Sequence, residues 1–359
     1  MIEYDLWLAL ARISNKAKLD LLSVVNSTKE LYEAIFDNYE EFTSEKLKLA
    51  LKLAWDISYI KELKENLHKN NIEYVTINHK NYPYKLREIE NSPYILFYKG
   101  NIEPLNENKK SIALVGAREC TIYGREVAET ISKELGEVDI NLISGLARGI
   151  DSICHEIALK NKKFTCGVLG CGVDVIYPKS NSYLYEKIIN QGCIISEFLP
   201  GTQPLSRNFP QRNRIISGLS DLVVVVEGTI KSGSLITARM AAEQGRDVVA
   251  VPGSIFSELS LGTNKLIKDG AIPYTDIEDL LFLIGIYKVK RNNNKAMTAE
   301  KNIDTNICKI IEILSDRPMH INEIVKLTNI DIKHLYELLF EMQINFGVKC
   351  IDMNFYVKF

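Results

Sequence analysis

Arg207, Arg212 and Arg214 crowd around Phe209, Gln211 and Asn213 in the run "RNFPQRNRIISG". After the almost wholly apolar "DLVVVVEG" comes Lys231-Ser232-Gly233-Ser234. Guanidinium groups bind phosphate oxygens in a bidentate fork, and an aromatic ring offers a stacking face to any base. The side-chain amides of Gln211 and Asn213 can hydrogen-bond the edges of an unpaired base. A glycine-serine turn ahead of a helix presents backbone N–H groups to an anion. Read as one short loop with an exposed Phe209, the run suits a phosphate chain carrying unpaired bases. For Asn213 and Arg214, an internal role bracing that loop fits equally well.

Groups that could do bond chemistry are fewer. Glu197 and Glu227 close apolar runs and are the best general-base candidates. His155, in "GIDSICHEIA", reads as a buried hydrogen-bonded histidine before a base, and Asp151 as a partner for a helix N-terminus. No Ser-His-Asp or Cys-His arrangement is legible. The seven cysteines are scattered and the five histidines lie far apart, so no metal site is expected and reduced thiols are the simpler reading.

Two common phosphate motifs are absent. "GARECTIYG" places Arg118 where a dinucleotide fold needs its second glycine, and the ribose-binding acid is missing after "INLISG". Neither "GTIKSGS" nor "GLARGID" supplies the Gly-Lys-Ser/Thr of a P-loop. The Gly-Ser turn therefore looks built to hold an anion without splitting it.

Positioning these residues requires a sheet. Between residues 73 and 287, apolar runs alternate with Gly-rich turns and amphipathic helices: "SIALVGAR", "INLISGLARG", "FTCGVLGCGVD", "CIISEF", "DLVVVVEG" and "DVVAVPG". Runs apolar on both sides, each followed by a helix, predict an α/β fold with a parallel sheet covered on both faces. Loops after such strands gather at one edge, where ligands bind. Arg118, Arg148, Lys179, Arg207, Arg212, Lys231 and Lys265 all fall in loops or helix starts assigned to that edge. The net charge is -2, so attraction for a polyanion has to come from such local clustering.

The flanks differ. Residues 1–72 carry apolar residues at helical spacing, with "SEKLKLALKLAWDISYIKELKENLHK" as one amphipathic stretch. The first hairpin, "ISNKAKLDLL", lacks the glycine that a helix-hairpin-helix module uses to meet phosphate. A polar linker is expected over 288–303, and three helices with a terminal hairpin over 304–359, a winged helix-turn-helix pattern. This last domain carries eight acids against six bases, so a protein-interaction or regulatory role suits it better than groove reading. The acidic start and the lack of any run approaching a membrane span predict a cytoplasmic protein.

In its motifs the chain closely resembles the bacterial DNA-processing protein A family, DprA or Smf. "VGARECTIYG", "ISGLARGIDSICH", "GCGVDVIYPKSN", the long block from "SEFLPG" to "VAVPG", and "GTNKLIKDGA" carry the resemblance over residues 82–271. The resemblance implies an extended Rossmann-like sheet, with a helical N-terminal domain of SAM or helix-hairpin-helix type and a C-terminal winged helix. It implies a non-enzymatic mediator of natural transformation that binds and protects single-stranded DNA and loads the recombinase RecA. It implies a homodimer through the sheet domain and no cofactor. By motif position the DNA pocket comprises Gly116, Arg118, Arg207, Phe209, Gln211, Arg212, Asn213, Ser232, Gly233, Ser234 and Lys265, with Arg148, Lys179 and Lys231 as further candidates. Arg118→Ala or Arg212→Ala is expected to weaken binding while leaving folding intact. The rival reading is a nucleotide-processing enzyme of the phosphoribohydrolase type, although "VEGTIKSGS" lacks the tight Gly-rich and glutamate order of that signature.

Overall fold

Short apolar runs form the strands: β1 (Glu73–Thr76), β2 (Ile95–Gly100), β3 (Ser111–Val115), β4 (Asn141–Ser144), β5 (Thr165–Val168), β6 (Cys193–Ser196), β7 (Leu222–Val225), β8 (Asp247–Ala250) and β9 (Ile272–Pro273). The computed structural model describes residues 2–37, 43–107, 109–286, 305–314, 319–345, 348–352 and 354–358, so the linker read at 288–303 lies outside the described residues. The chain divides into two units, Met1–Lys288 and Val289–Phe359.

In the first unit the nine described strands make one sheet, ordered β1-β2-β6-β5-β4-β3-β7-β8-β9. The strands from β6 across to β9 run parallel. At the other edge β2 lies antiparallel to β6, and β1 to β2. The chain builds outward from β3 through β4 and β5 to β6, then returns to the far side of β3 with β7. Loops leaving β3 and β7 therefore diverge and leave a crevice at their carboxyl ends. β9 was not legible beforehand: two residues with a proline carry no strand pattern, and proline is tolerated there because the strand is at an edge.

The helices of this unit are α1 (Ile2–Leu10), α2 (Asn15–Leu22), α3 (Thr28–Phe36), α4 (Glu45–Ala54), α5 (Ile57–Lys69), α6 (Tyr84–Arg87), α7 (Ile122–Gly136), α8 (Ile150–Lys160), α9 (Ser182–Gln191), α10 (Asn208–Gly218), α11 (Gly233–Glu243), α12 (Glu258–Lys268) and α13 (Ile277–Leu283). Alternation along β3 divides the core. Ile112 and Leu114 pack with Ile131 of α7 and Ile153 of α8, whereas Ala113 and Val115 pack with Ile215 of α10 and Ala238 of α11. A third cluster joins Leu6, Trp7, Leu31 and Leu51 of the N-terminal helices to Phe97 of β2 and Leu184 of α9.

The stretch 44–69 is broken into α4 and α5 rather than continuous. The Asp56 carboxylate accepts from the Ser58 and Tyr59 amides and starts a new helix. Trp55, at the break, turns into a ring cluster with Tyr4, Trp7 and Tyr32.

The second unit contains α14 (Thr305–Ile313), α15 (Ile321–Thr328) and α16 (Ile332–Asn345), with β10 (Met319–His320), β11 (Val348–Asp352) and β12 (Phe355–Lys358). Its strands form an antiparallel sheet ordered β10-β12-β11. Ile310, Ile324, Leu335, Leu339 and Tyr356 supply its core.

His155 is wholly buried under the sheet. Thr165 Oγ1 donates to the Leu142 carbonyl, so Nδ1–H of His155 donates to that hydroxyl oxygen at 2.7 Å. Nε2 is left without a partner among the described residues. Burial pushes its pKa down to about 3, against ~6.5 in an unfolded chain. Between those values only the unfolded chain takes the proton, so the stabilising contribution is complete above ~6.5 and shrinks as pH falls. Urea unfolding should show about 1 kcal/mol lost between pH 7 and 5.5 that a His155→Leu variant does not lose. A wild type with the same pH dependence as the variant would contradict a neutral buried His155.

Candidate nucleic-acid interface

The run from Arg207 to Gly218 is helical rather than the loop read from sequence. α10 begins at Asn208, which places Pro210 in the first turn, where its missing N–H has no helical partner to lose. Ile215 and Ile216 then face the sheet core. The helical form decides which side chains of the run turn inward. Arg212, Asn213 and Arg214 are buried, Phe209 is half-buried, and Arg207 and Gln211 are exposed.

Arg212 is the anchor. Its Nη1 donates to the carbonyls of Gly145, at 2.8 Å, and Val168, and its Nε donates to Asn213 Oδ1 at 3.1 Å. The acceptors lie at the carboxyl ends of β4 and β5, so one guanidinium holds α10 across two strand ends. Gly145 makes the approach possible, because a Cβ there would lie 2.7 Å from Arg212 Nη2 and 2.8 Å from Asp151 Oδ2. Burial pushes Arg212 down to about 10, opposed by the Asp151 charge, so it remains a cation at neutral pH. Asp151 in turn accepts from the Gly145 and Ala147 amides, and burial raises its pKa. Arg212 is thus a positioning cation that also lines the cleft, and replacing it with Ala would strand these carbonyls and Asp151. The expectation that Arg212→Ala leaves folding intact does not survive this burial; Arg118, by contrast, is exposed.

The amides and acids settle in the same way. Asn213 Oδ1 is taken by Arg212, and its Nδ2 donates to the Gly233 carbonyl at 3.1 Å, which locks α10 to the start of α11. Arg214 pairs bidentately with Glu197, both contacts at 2.6 Å, and donates to the Asn91 carbonyl. Asn15 of α2 also donates to Glu197. Glu227 is buried and accepts from the Thr121 amide at 2.9 Å and its hydroxyl at 2.6 Å, at the start of α7. Both general-base candidates are therefore committed to holding helices.

Between β3 and β7 lies a cleft of about 510 Å³, lined by Gly116, Arg118, Phe209, Arg212, Asn213 and the Ser232–Ser234 turn, among others. Ser232 caps α11, and its hydroxyl lies 2.8 Å from that of Ser234. Arg118 is exposed with its guanidinium carbon 5.7 Å from the Phe209 ring centre, and that of Arg212 lies 6.0 Å away. Eight of the predicted site residues thus meet: 116, 118, 209, 212, 213, 232, 233 and 234. Arg207 and Gln211 lie on the exposed start of α10, outside the lining. Arg148 lines a smaller cavity next door, and Lys179 is exposed beyond it. Lys231 and Lys265 line a separate groove beside α11 and α12, where Lys265 pairs with Asp269 at 2.9 Å. Helical register is the reason, since Lys265 sits one turn before Asp269.

Sequence reading missed Tyr177, whose ring lies 5.5 Å from Phe209 and lines both cavities. It was present in "GCGVDVIYPKSN", but nothing in spacing joins it to a phenylalanine 32 positions later (209 − 177).

Known proteins share this sheet. Residues 73–285 match the family model described as DNA recombination-mediator protein A. The chain belongs to that family. The DNA processing protein DprA of Streptococcus pneumoniae is 46% identical over 200 residues, covering 56% of this chain and 70% of that one. Protein Smf of Escherichia coli is 34% identical over 287 residues, covering 78% and 75%. Among solved structures, DNA processing protein A of S. pneumoniae superposes with a TM-score of 0.67 at 34% identity, over 79% of this chain and 98% of that one. The Helicobacter pylori protein, studied for its single-stranded DNA binding mode, gives 0.54 at 28% identity, over 60% and 97%.

If the Arg214–Glu197 pair anchors α10, Glu197→Gln should cost about 3–5 kcal/mol, as removal of one partner from a buried pair does. Urea unfolding measures it. A loss below about 1 kcal/mol would show that the pair is dispensable to the helix.

Proposed function

We propose that the cleft between β3 and β7 binds single-stranded DNA and that the chain performs no bond chemistry on it. The observation that carries this reading is the pairing of an uncompensated cation with an aromatic face at the cleft mouth. Arg118 makes no ion pair or hydrogen bond among the described residues and sits against half-buried Phe209. Arg148, Arg207, Lys179 and Lys231 are likewise unpaired among the described residues. Uncompensated cations bind phosphates by releasing counterions, Phe209 stacks a base, and the capped α11 N-terminus presents amides to a phosphate. The H. pylori relative's single-stranded DNA binding supports the same choice of ligand. The phosphoribohydrolase reading draws no support from its two base candidates, since neither Glu197 nor Glu227 lines the cleft.

In the wider reading, the protein is a cytoplasmic recombination mediator of natural transformation that protects incoming single strands and loads RecA. It works as a homodimer through the sheet domain and uses no cofactor. The second unit acts as a winged helix that meets protein rather than DNA. Ile332, Tyr336 and Phe340 are exposed at successive turns of α16, where a groove-reading helix would carry bases. No described helix is long and apolar enough to cross a membrane.

Arg118→Ala should weaken single-strand affinity and lower the slope of log affinity against log salt by ~0.7, the value for one lost phosphate contact. Phe209→Ala should cost about 1–3 kcal/mol of binding. Fluorescence anisotropy across a salt series, with duplex DNA as comparison, measures both. Unchanged binding in the two variants would remove the cleft from the DNA path. Release of free base from nucleoside monophosphates, abolished by Glu227→Gln, would restore the enzymatic reading.

A further inference from the structure

The N-terminal helices meet the sheet at a closed circuit of hydrogen bonds. Asn15, the first residue of α2, donates through Nδ2 to Glu197 Oε2 at 3.1 Å, and its Oδ1 accepts from the Tyr94 amide at 3.3 Å. Glu197, just beyond β6, accepts from Arg214 Nη1 and Nη2, each at 2.6 Å. Arg214 Nε then donates to the Asn91 carbonyl at 3.1 Å. The turn from Asn91 to Tyr94, which leads into β2, closes the circuit. Asn91 stands in the left-handed region at φ 59°, which asparagine tolerates. Lys18, one turn along α2, is buried, donates to the Ala9 carbonyl at 2.9 Å and stands 5.8 Å from the centre of the Tyr94 ring. Burial pushes its pKa down to about 8, and the Glu197 charge opposes that shift.

This circuit reaches the cleft on one side only. A carboxylate is an acceptor with no proton of its own to direct, so the donors around it set its orientation. Glu197 has donors from α10 and from α2. Arg214 also donates to the Gln211 carbonyl at 2.9 Å, in the first turn of α10, and Phe209 lies in that same turn. The wall that carries Phe209 is therefore held, through Glu197, from the N-terminal helices. The opposite wall has a separate support. Arg118 lies in the loop between β3 and α7, and Glu227 fixes the start of α7 through the Thr121 amide and hydroxyl.

We propose that Asn15 is a positioning residue for the single-strand site. Through Glu197 and Arg214 it sets where α10 holds Phe209, so the N-terminal helices govern the grip of the cleft on a base. The inference rests on the reading of the cleft as a single-strand site and gives the helical domain a part in it. Without the Asn15 donor, Glu197 and Arg214 keep each other but lose their reference to α2, and the first turn of α10 is free to shift.

The test uses the full chain, labelled oligothymidylate and fluorescence anisotropy across a salt series. Asn15→Ala should lower affinity about 3- to 10-fold. The slope of log affinity against log salt should stay as in the wild type, because no phosphate contact is lost. In a Phe209→Ala background the same substitution should change affinity by less than about 2-fold, whereas in an Arg118→Ala background it should keep its full effect. Asn15→Asp, which retains the acceptor for Tyr94 but sets a second carboxylate against Glu197, should lose at least as much as Asn15→Ala. Urea unfolding checks that both variants are folded at the assay temperature. Wild-type affinity in either Asn15 variant, or an equal loss in all three backgrounds, would overturn the positioning role. If Arg118→Ala and Phe209→Ala still lost affinity in that case, the cleft would stand as the DNA site. If those two kept full affinity, the cleft reading would fall and the positioning role with it.

Discussion

A buried guanidinium sets the geometry of this sheet edge. Arg212 reaches from α10 to the carbonyls that end β4 and β5, in a space that Gly145 leaves open. Desolvating a cation is costly, and here carbonyl dipoles and the Asp151 charge offset it. Because the interaction is directional, it fixes the rotation of α10 about its axis as well as its position. That rotation places Phe209 at the cleft mouth and turns Asn213 towards α11. The Arg214–Glu197 pair fixes the same helix from its other side and, through Asn15, ties it to the N-terminal helices.

Charge is sorted by the same packing. The chain is slightly acidic overall, so what matters is which cations keep their field. Arg212 and Arg214 spend theirs on carbonyls and carboxylates, and Lys265 on Asp269. Arg118, Arg148 and Arg207 keep theirs and stand at or near the cleft. Buried ion pairs build the frame, and exposed arginines with no partner among the described residues stand at or near the cleft, the arrangement on which the proposed single-strand site draws. The carboxylates follow the complementary rule, since Glu197, Glu227 and Asp151 all serve as helix or loop anchors.

Several site features were legible because they depend on local composition. Gly116 and Arg118 come just after one apolar run and the Ser232–Ser234 turn lies in the loop after another, and in a parallel sheet that order alone puts them at the carboxyl edge. Arg207 to Gly218 was misread because its aliphatic residues, Ile215 and Ile216, come only after a proline and three cations, which hides the helical period. The break at Trp55 was hidden for the opposite reason: the apolar spacing continues across it, and only the aromatic cluster and the Asp56 cap interrupt the helix.

The sequence by itself determined the alternation of strand and helix, the residues that follow each strand and the family to which they belong. Periodicity, turn chemistry and motif order are local, and they survive in one dimension. The tertiary structure alone decided which cations stay free, which acids are consumed, and that Tyr177 stands beside Phe209. Those outcomes depend on distances between residues far apart in the chain, fixed by the return of β7 across β3 and the rotation of α10, and no spacing encodes them.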